Sequence, residues 1–93
     1  QALLQVEARE EQTAQRYLEE LLQMLPANQA LYKTPVMPNI LSRRQGFYRV
    51  HAILQSDQRG ELHRALFYLV RLAEANKRSG VRFLVEVDPL DFG

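Results

Sequence analysis

The sequence predicts an α+β domain in which two helices cover one face of an antiparallel sheet. Three observations carry that reading. Apolar and polar residues alternate over short stretches at 2–8, 47–55 and 81–87, the period of a half-buried strand. Between them, apolar residues return every three or four positions over 14–25 and 62–76, the period of a helix packed on one side. Chain breakers at Pro26, Pro35, Pro38, Gly46 and Gly80 fall between these stretches.

The first strand spans 2–8, with Leu4, Val6 and Ala8 on one face and Gln5 and Glu7 on the other. Ala14, Tyr17, Leu18, Leu21, Leu22 and Leu25 then form the inward stripe of a helix. Glu10 and Glu11 lie in its first turns, where the helix dipole favours acids, and Pro26 stops it. Over 30–41, Pro35 and Pro38 remove backbone donors and confine any strand to an edge, so a short, irregular one is expected. A polar turn follows over Ser42–Gly46, carrying Arg43 and Arg44. The next strand turns Tyr48, Val50, Ala52 and Leu54 inward, and Phe47, Arg49, His51, Ile53 and Gln55 outward.

Ser56 or Asp57 is placed to cap the second helix by accepting from its free amides. Its inward stripe is Leu62, Ala65, Leu66, Leu69, Leu72, Ala73 and Asn76, and Ser79–Gly80 supplies the stop, since glycine tolerates a left-handed backbone. The last strand turns Val81, Phe83, Val85 and Val87 inward and Arg82, Leu84 and Glu86 outward, ending at Asp88–Pro89. The order is βαββαβ, that of a ferredoxin-like or ribosomal-S10-like domain, with the far face of the sheet left open.

A chain of 93 residues fits one domain, 1–93, with a single core. Its 46% apolar and 25% charged content is that of an ordinary soluble globular protein. Without cysteine it has neither disulfides nor a thiolate zinc site. No apolar run approaches the roughly 18 residues of a membrane span. The chain opens on Gln1 and enters a strand pattern almost at once, so it is expected to be a piece of a longer protein.

The charge is unevenly spread. Between Lys33 and Arg82 ten basic residues stand against three acidic ones, a local excess of +7 in a chain whose net charge is +1. Such a field attracts phosphates or an acidic peptide, less strongly as salt rises. No Walker phosphate loop, G-x-S-x-G elbow or H-E-x-x-H pair is present, and no catalytic residue is assigned. Small phosphatases of this layout place a glycine-rich anion loop directly after the first strand. Here Ala8-Arg9-Glu10-Glu11 stands there, with no glycine and two carboxylates that repel phosphate. His51 and His63 lie on different elements, so no metal role is expected of them. Glu86, Asp88 and Asp91 form either a weak cation site or a solvated strand end. The third strand begins like an RNA-recognition strand at Gln45-Gly46-Phe47-Tyr48, but Arg49 and Ala52 stand where aromatic residues are needed. Only Phe47 offers a face for base stacking.

Three stretches carry a resemblance to a known family. They are Arg43-Arg44-Gln45-Gly46-Phe47-Tyr48-Arg49-Val50-His51-Ala52-Ile53-Leu54-Gln55 with Gln58-Arg59 opening a helix, Val81-Arg82-Phe83-Leu84-Val85-Glu86-Val87-Asp88-Pro89, and Ala2-Leu3-Leu4-Gln5-Val6-Glu7-Ala8. Together they resemble the C-terminal domain of the PriA family of bacterial primosomal helicases, which restart replication at stalled forks. Phe47, Val50 and His51 depart from the family's usual arginine, tryptophan and glutamine, whereas Arg49 is retained. The resemblance covers most of the chain and implies an S10-like domain beside the core of a 3'-5' DNA helicase, in the bacterial cytoplasm. This part would be non-catalytic. The parent would be an ATP-dependent helicase holding ATP, magnesium and zinc elsewhere. The implied partners are forked or single-stranded DNA, the helicase core of the same chain, other primosome proteins, and the acidic, phenylalanine-terminated tail of single-stranded DNA-binding protein.

For DNA, the candidates are Arg43 and Arg44 in the turn, Arg49 on the exposed strand face and Arg82 beside it, each as a phosphate contact. Arg82 has a second reading, a cross-strand ion pair with Glu7 or Glu86. For the tail, Arg59, His63 and Phe67 recur at i, i+4 and i+8 on one helix face. Arg59 suits a carboxylate, His63 a hydrogen bond and Phe67 an apolar floor; the other reading packs Phe67 under a loop or against the helicase core. Arg64, Arg71 and Arg78 read as a solvated face with Glu61 and Glu74 as partners. A reading from a different class is a ribosomal-S10-like structural module that binds RNA and protein with no helicase attached.

Overall fold

The computed structural model describes residues 1–44 and 46–87, and the side chains of all of these but 40–44. The expected strand end at Asp88–Pro89 and the carboxylate of Asp91 lie outside the described residues. The elements run β1 (Ala2–Ala8), α1 (Glu11–Met24), β2 (Tyr32–Lys33), β3 (Met37–Arg44), β4 (Phe47–Gln55), α2 (Arg59–Ala75) and β5 (Arg82–Val87). β1 lies between β4 and β5, while β2 and β3 both line the outer edge of β4, and every pairing is antiparallel. With β2 and β3 taken as one interrupted edge strand, this is the ferredoxin-like βαββαβ order.

One apolar cluster holds the layers together. Leu4 and Val6 of β1, Val50 and Leu54 of β4, Leu18 and Leu21 of α1, and Leu62 and Leu69 of α2 are almost fully removed from water. Each of these side chains contributes on the order of 1.5–3 kcal/mol by leaving water. Val81, Phe83, Val85 and Val87 pack against the cluster from the β5 edge and are only partly covered. Tyr17 ties the helices to each other: its hydroxyl donates to the carbonyls of Asn76 (3.1 Å) and Ala73 (3.4 Å), which the end of α2 leaves without helical partners.

The irregular edge strand resolves into two pieces. β2 pairs Tyr32 with Gln55 and Lys33 with Leu54, and β3 resumes with Met37 opposite His51. Thr34 spans the break, its N–H donating to the Ile53 carbonyl (3.0 Å) and its Oγ1 accepting from the Ile53 N–H (2.8 Å). Pro35, which has no N–H to pair, lies in the gap. The register then slips: Pro38 faces Val50 but Arg43 faces Tyr48, so four residues of β3 oppose the single Arg49. A bulge of this kind twists the edge and spoils it as a template for another strand.

Three boundaries differ from expectation. The polar turn expected over Ser42–Gly46 contracts, because β3 continues through Arg44 opposite Phe47, and Gly46 (φ +84°) reverses the chain. Neither Ser56 nor Asp57 caps α2. Its cap position is Gln58, with no side-chain cap, and the Ser56 hydroxyl accepts from the Gln58 N–H (3.0 Å) in a local turn instead. α2 also ends before Ser79–Gly80. Asn76 terminates it, donating from Nδ2 to the Leu72 carbonyl (2.8 Å), and Gly80 (φ +80°) makes the later turn into β5.

Candidate nucleic-acid interface

Antiparallel pairing brings the end of β1 together with the start of β4, the start of β5 and the end of β3. That gathers Arg9, Arg43, Arg44, Arg49 and Arg82 at one end of the sheet, although 73 positions separate the first from the last. Arg43 and Arg44 are placed there by backbone register, opposite Tyr48 and Phe47. Glu7 is the acid among them, with Arg49 as its neighbour on one side and Arg82 on the other.

Glu7 pairs with Arg49. The guanidinium donates from Nε to Glu7 Oε1 at 2.6 Å and also engages it through Nη2, with both side chains partly covered. The cross-strand pair considered for Arg82 is therefore made by Arg49, and Arg82 stays exposed with no ion pair among the described residues. A paired Arg49 presents less net charge to a phosphate than Arg82 does. Arg82 also borders a shallow apolar groove between α2 and β5, walled by Val70, Phe83 and Val85.

Beyond this charged end, the far face of the sheet carries a polar chain. Asn39 donates from Nδ2 to Gln5 Oε1 (3.3 Å), which leaves its Oδ1 to accept from the Nδ1–H of His51 (2.8 Å). Gln5 is buried, so these bonds offset the loss of its water contacts. His51 is thereby a tie between strands. Among the described residues, no group of His, Asp and Glu is arranged to hold a metal ion.

Arg59, His63 and Phe67 do share α2, which begins beyond the far end of β4, so Arg59 starts at the opposite end of the sheet from the clustered arginines and Phe67 lies mid-helix. Phe67 is 65% exposed, so it does not pack under a loop of the described chain. The Arg71 guanidinium lies 5.7 Å from its ring centroid, a cation–π contact rather than a free solvated charge. Arg64 pairs with Glu61 at 3.4 Å, as its spacing suggested. The structure thus separates the two sets of candidates and unites the DNA set.

Arg9 is the residue that sequence reasoning missed. Its guanidinium sits 5.3 Å from the centroid of the Phe47 ring. In the sequence it stands beside Glu10 and Glu11, the two carboxylates read as repelling phosphate. Both glutamates belong, as expected, to the start of α1, where the Glu10 carbonyl accepts from the Ala14 N–H (3.1 Å) and Glu11 occupies the first turn. No signal short of the strand pairing would have joined Arg9 to Phe47.

Residues 1–90 match the family model described as the primosomal protein N C-terminal domain. The chain is also similar to the replication restart protein PriA of Haemophilus influenzae, at 33% identity over 93 residues, covering 98% of this chain and 13% of that protein. No helix among the described residues is long and apolar enough to cross a membrane.

Proposed function

The chain belongs to the primosomal protein N C-terminal domain family, and from that premise we propose that it is a non-catalytic DNA- and partner-binding part of a replication-restart helicase. It grips forked or single-stranded DNA through phosphate contacts at the arginine-rich end of the sheet. The observation that supports this most directly is the convergence of arginines from separate elements on one corner, with the exposed Arg82 lacking an acid partner among the described residues. Unwinding, ATP, magnesium and zinc belong to the parent outside this chain, which has no cysteine to offer a metal. Family membership favours this reading over an RNA-binding structural module.

Titration of the chain against fluorescent single-stranded and forked DNA across a salt series tests it. Binding should weaken steeply with salt, and Arg43→Ala, Arg44→Ala and Arg82→Ala together should reduce the salt slope by about three, roughly one per lost phosphate contact. No binding at low salt would remove the DNA role, and a triple variant that binds as well as the unsubstituted chain would remove the arginine corner from it. A preference for RNA would favour the structural module.

A second surface fits the acidic tail of single-stranded DNA-binding protein. On α2 the exposed Phe67 ring lies beside the Arg71 guanidinium, with His63 and Arg59 one and two turns earlier on the same helix, so it offers apolar area near positive charge, as an acidic peptide ending in phenylalanine requires. Arg59→Glu should weaken such a peptide at least about tenfold, since it reverses a charge meant for a carboxylate. Unchanged affinity would exclude Arg59 from the site.

A further inference from the structure

Arg9 and Phe47 add to the basic corner something other than positive charge. Phe47 opens β4 directly after the Gly46 turn and projects from the same face as Arg49, at the rim of the sheet. It is half-buried, and Arg9, which is exposed, lies over its ring. Arg9 makes no ion pair among the described residues even though Glu10 and Glu11 follow it, so its guanidinium is held by the aromatic face rather than by a carboxylate.

We infer that the Arg9–Phe47 pair is a stacking platform for an unpaired base of single-stranded DNA. This rests on the DNA reading above and adds what distinguishes one strand from two. Guanidinium planes and phenyl rings are both surfaces on which bases stack, and stacking tolerates any sequence because every base has a π face. The arginines around the pair meet phosphates in either kind of DNA, whereas a duplex keeps its bases stacked on one another and offers none to the ring. The corner therefore combines a contact blind to strandedness with one that requires a free base. The same pair acting only as a staple between the end of β1 and the start of β4 would be indifferent to bases.

The test compares three probes of equal length: an oligothymidine strand, an abasic strand with the same phosphates, and a duplex. Phe47→Leu keeps apolar bulk but removes the π face, and Phe47→Tyr restores it; thermal melts confirm that both variants fold. Phe47→Leu should weaken oligothymidine binding at least about fivefold, the lower end for one stacked base. It should leave the abasic strand and the duplex unchanged, and Phe47→Tyr should bind as the parent does. Equal losses on all three probes would make Phe47 a structural residue and overturn the inference. Unaltered oligothymidine binding by Phe47→Leu would also overturn it while leaving the DNA reading intact. Failure of the unsubstituted chain to bind any probe would instead sink the DNA reading itself, and the platform with it.

Discussion

Tyr17 shows how much one side chain can link. Its ring belongs to the α1 stripe, and its hydroxyl reaches across to satisfy carbonyls at the end of α2. Removing that hydroxyl in Tyr17→Phe should cost about 0.5–1.5 kcal/mol, the ordinary worth of such a bond. Burial raises the phenol's pKa, and the nearby Arg78 cation opposes the shift without reversing it. A group that holds its proton more tightly when folded stabilises the fold below the ordinary tyrosine range, and that contribution is lost as the pH rises through it. The parent chain should therefore lose stability as the pH climbs past about 10. Tyr17→Phe, with no phenol to ionise there, should lose less. Urea denaturation at neutral and alkaline pH measures both effects, and equal alkaline losses in the two proteins would clear Tyr17 of the role.

Among the elements, β1, β4, α1 and β5 were legible because their periods are set by which residues leave water, and that pattern is local. Leu4, Val6, Leu18, Leu21, Val50 and Leu54 are all in the cluster where their spacing put them. The edge was not legible. Pro35 and Pro38 announced an irregular strand, but the slip after Pro38 depends on what lies opposite in β4, which no run of β3 residues encodes. Helix ends failed for a related reason: Ser56 and Asn76 each had several backbone groups in reach, and propensity does not say which one they choose. At the candidate site, the sequence supplied the arginines but not their partners. Glu7 and Arg49 are 42 positions apart, so only the register of β1 on β4 shows that this arginine is paired and that Arg82 is the freer one.

At the scale of the whole molecule, the two-layer plan has one core and therefore one set of apolar residues that the fold requires. Leu69 faces the sheet from the middle of α2 and is fully buried, while Phe67, two positions earlier, points away into solvent beside Tyr68. The outer ring gains nothing from the core beneath it, and with Tyr68 it leaves adjacent aromatic residues exposed on α2. This chain spans 13% of the PriA relative, and a surface of this kind suits contact with something outside the domain. The layering therefore predicts a sharp contrast within a single helix. Leu69→Ala should destabilise the chain by about 2–5 kcal/mol, through lost burial and the cavity left behind. Phe67→Ser should cost less than about 1 kcal/mol, the worth of its exposed contact with Arg71. Denaturant unfolding of the two variants decides the matter: a loss at Phe67 comparable to that at Leu69 would mean that the ring is part of this domain's own packing, and its claim to be a partner surface would fall.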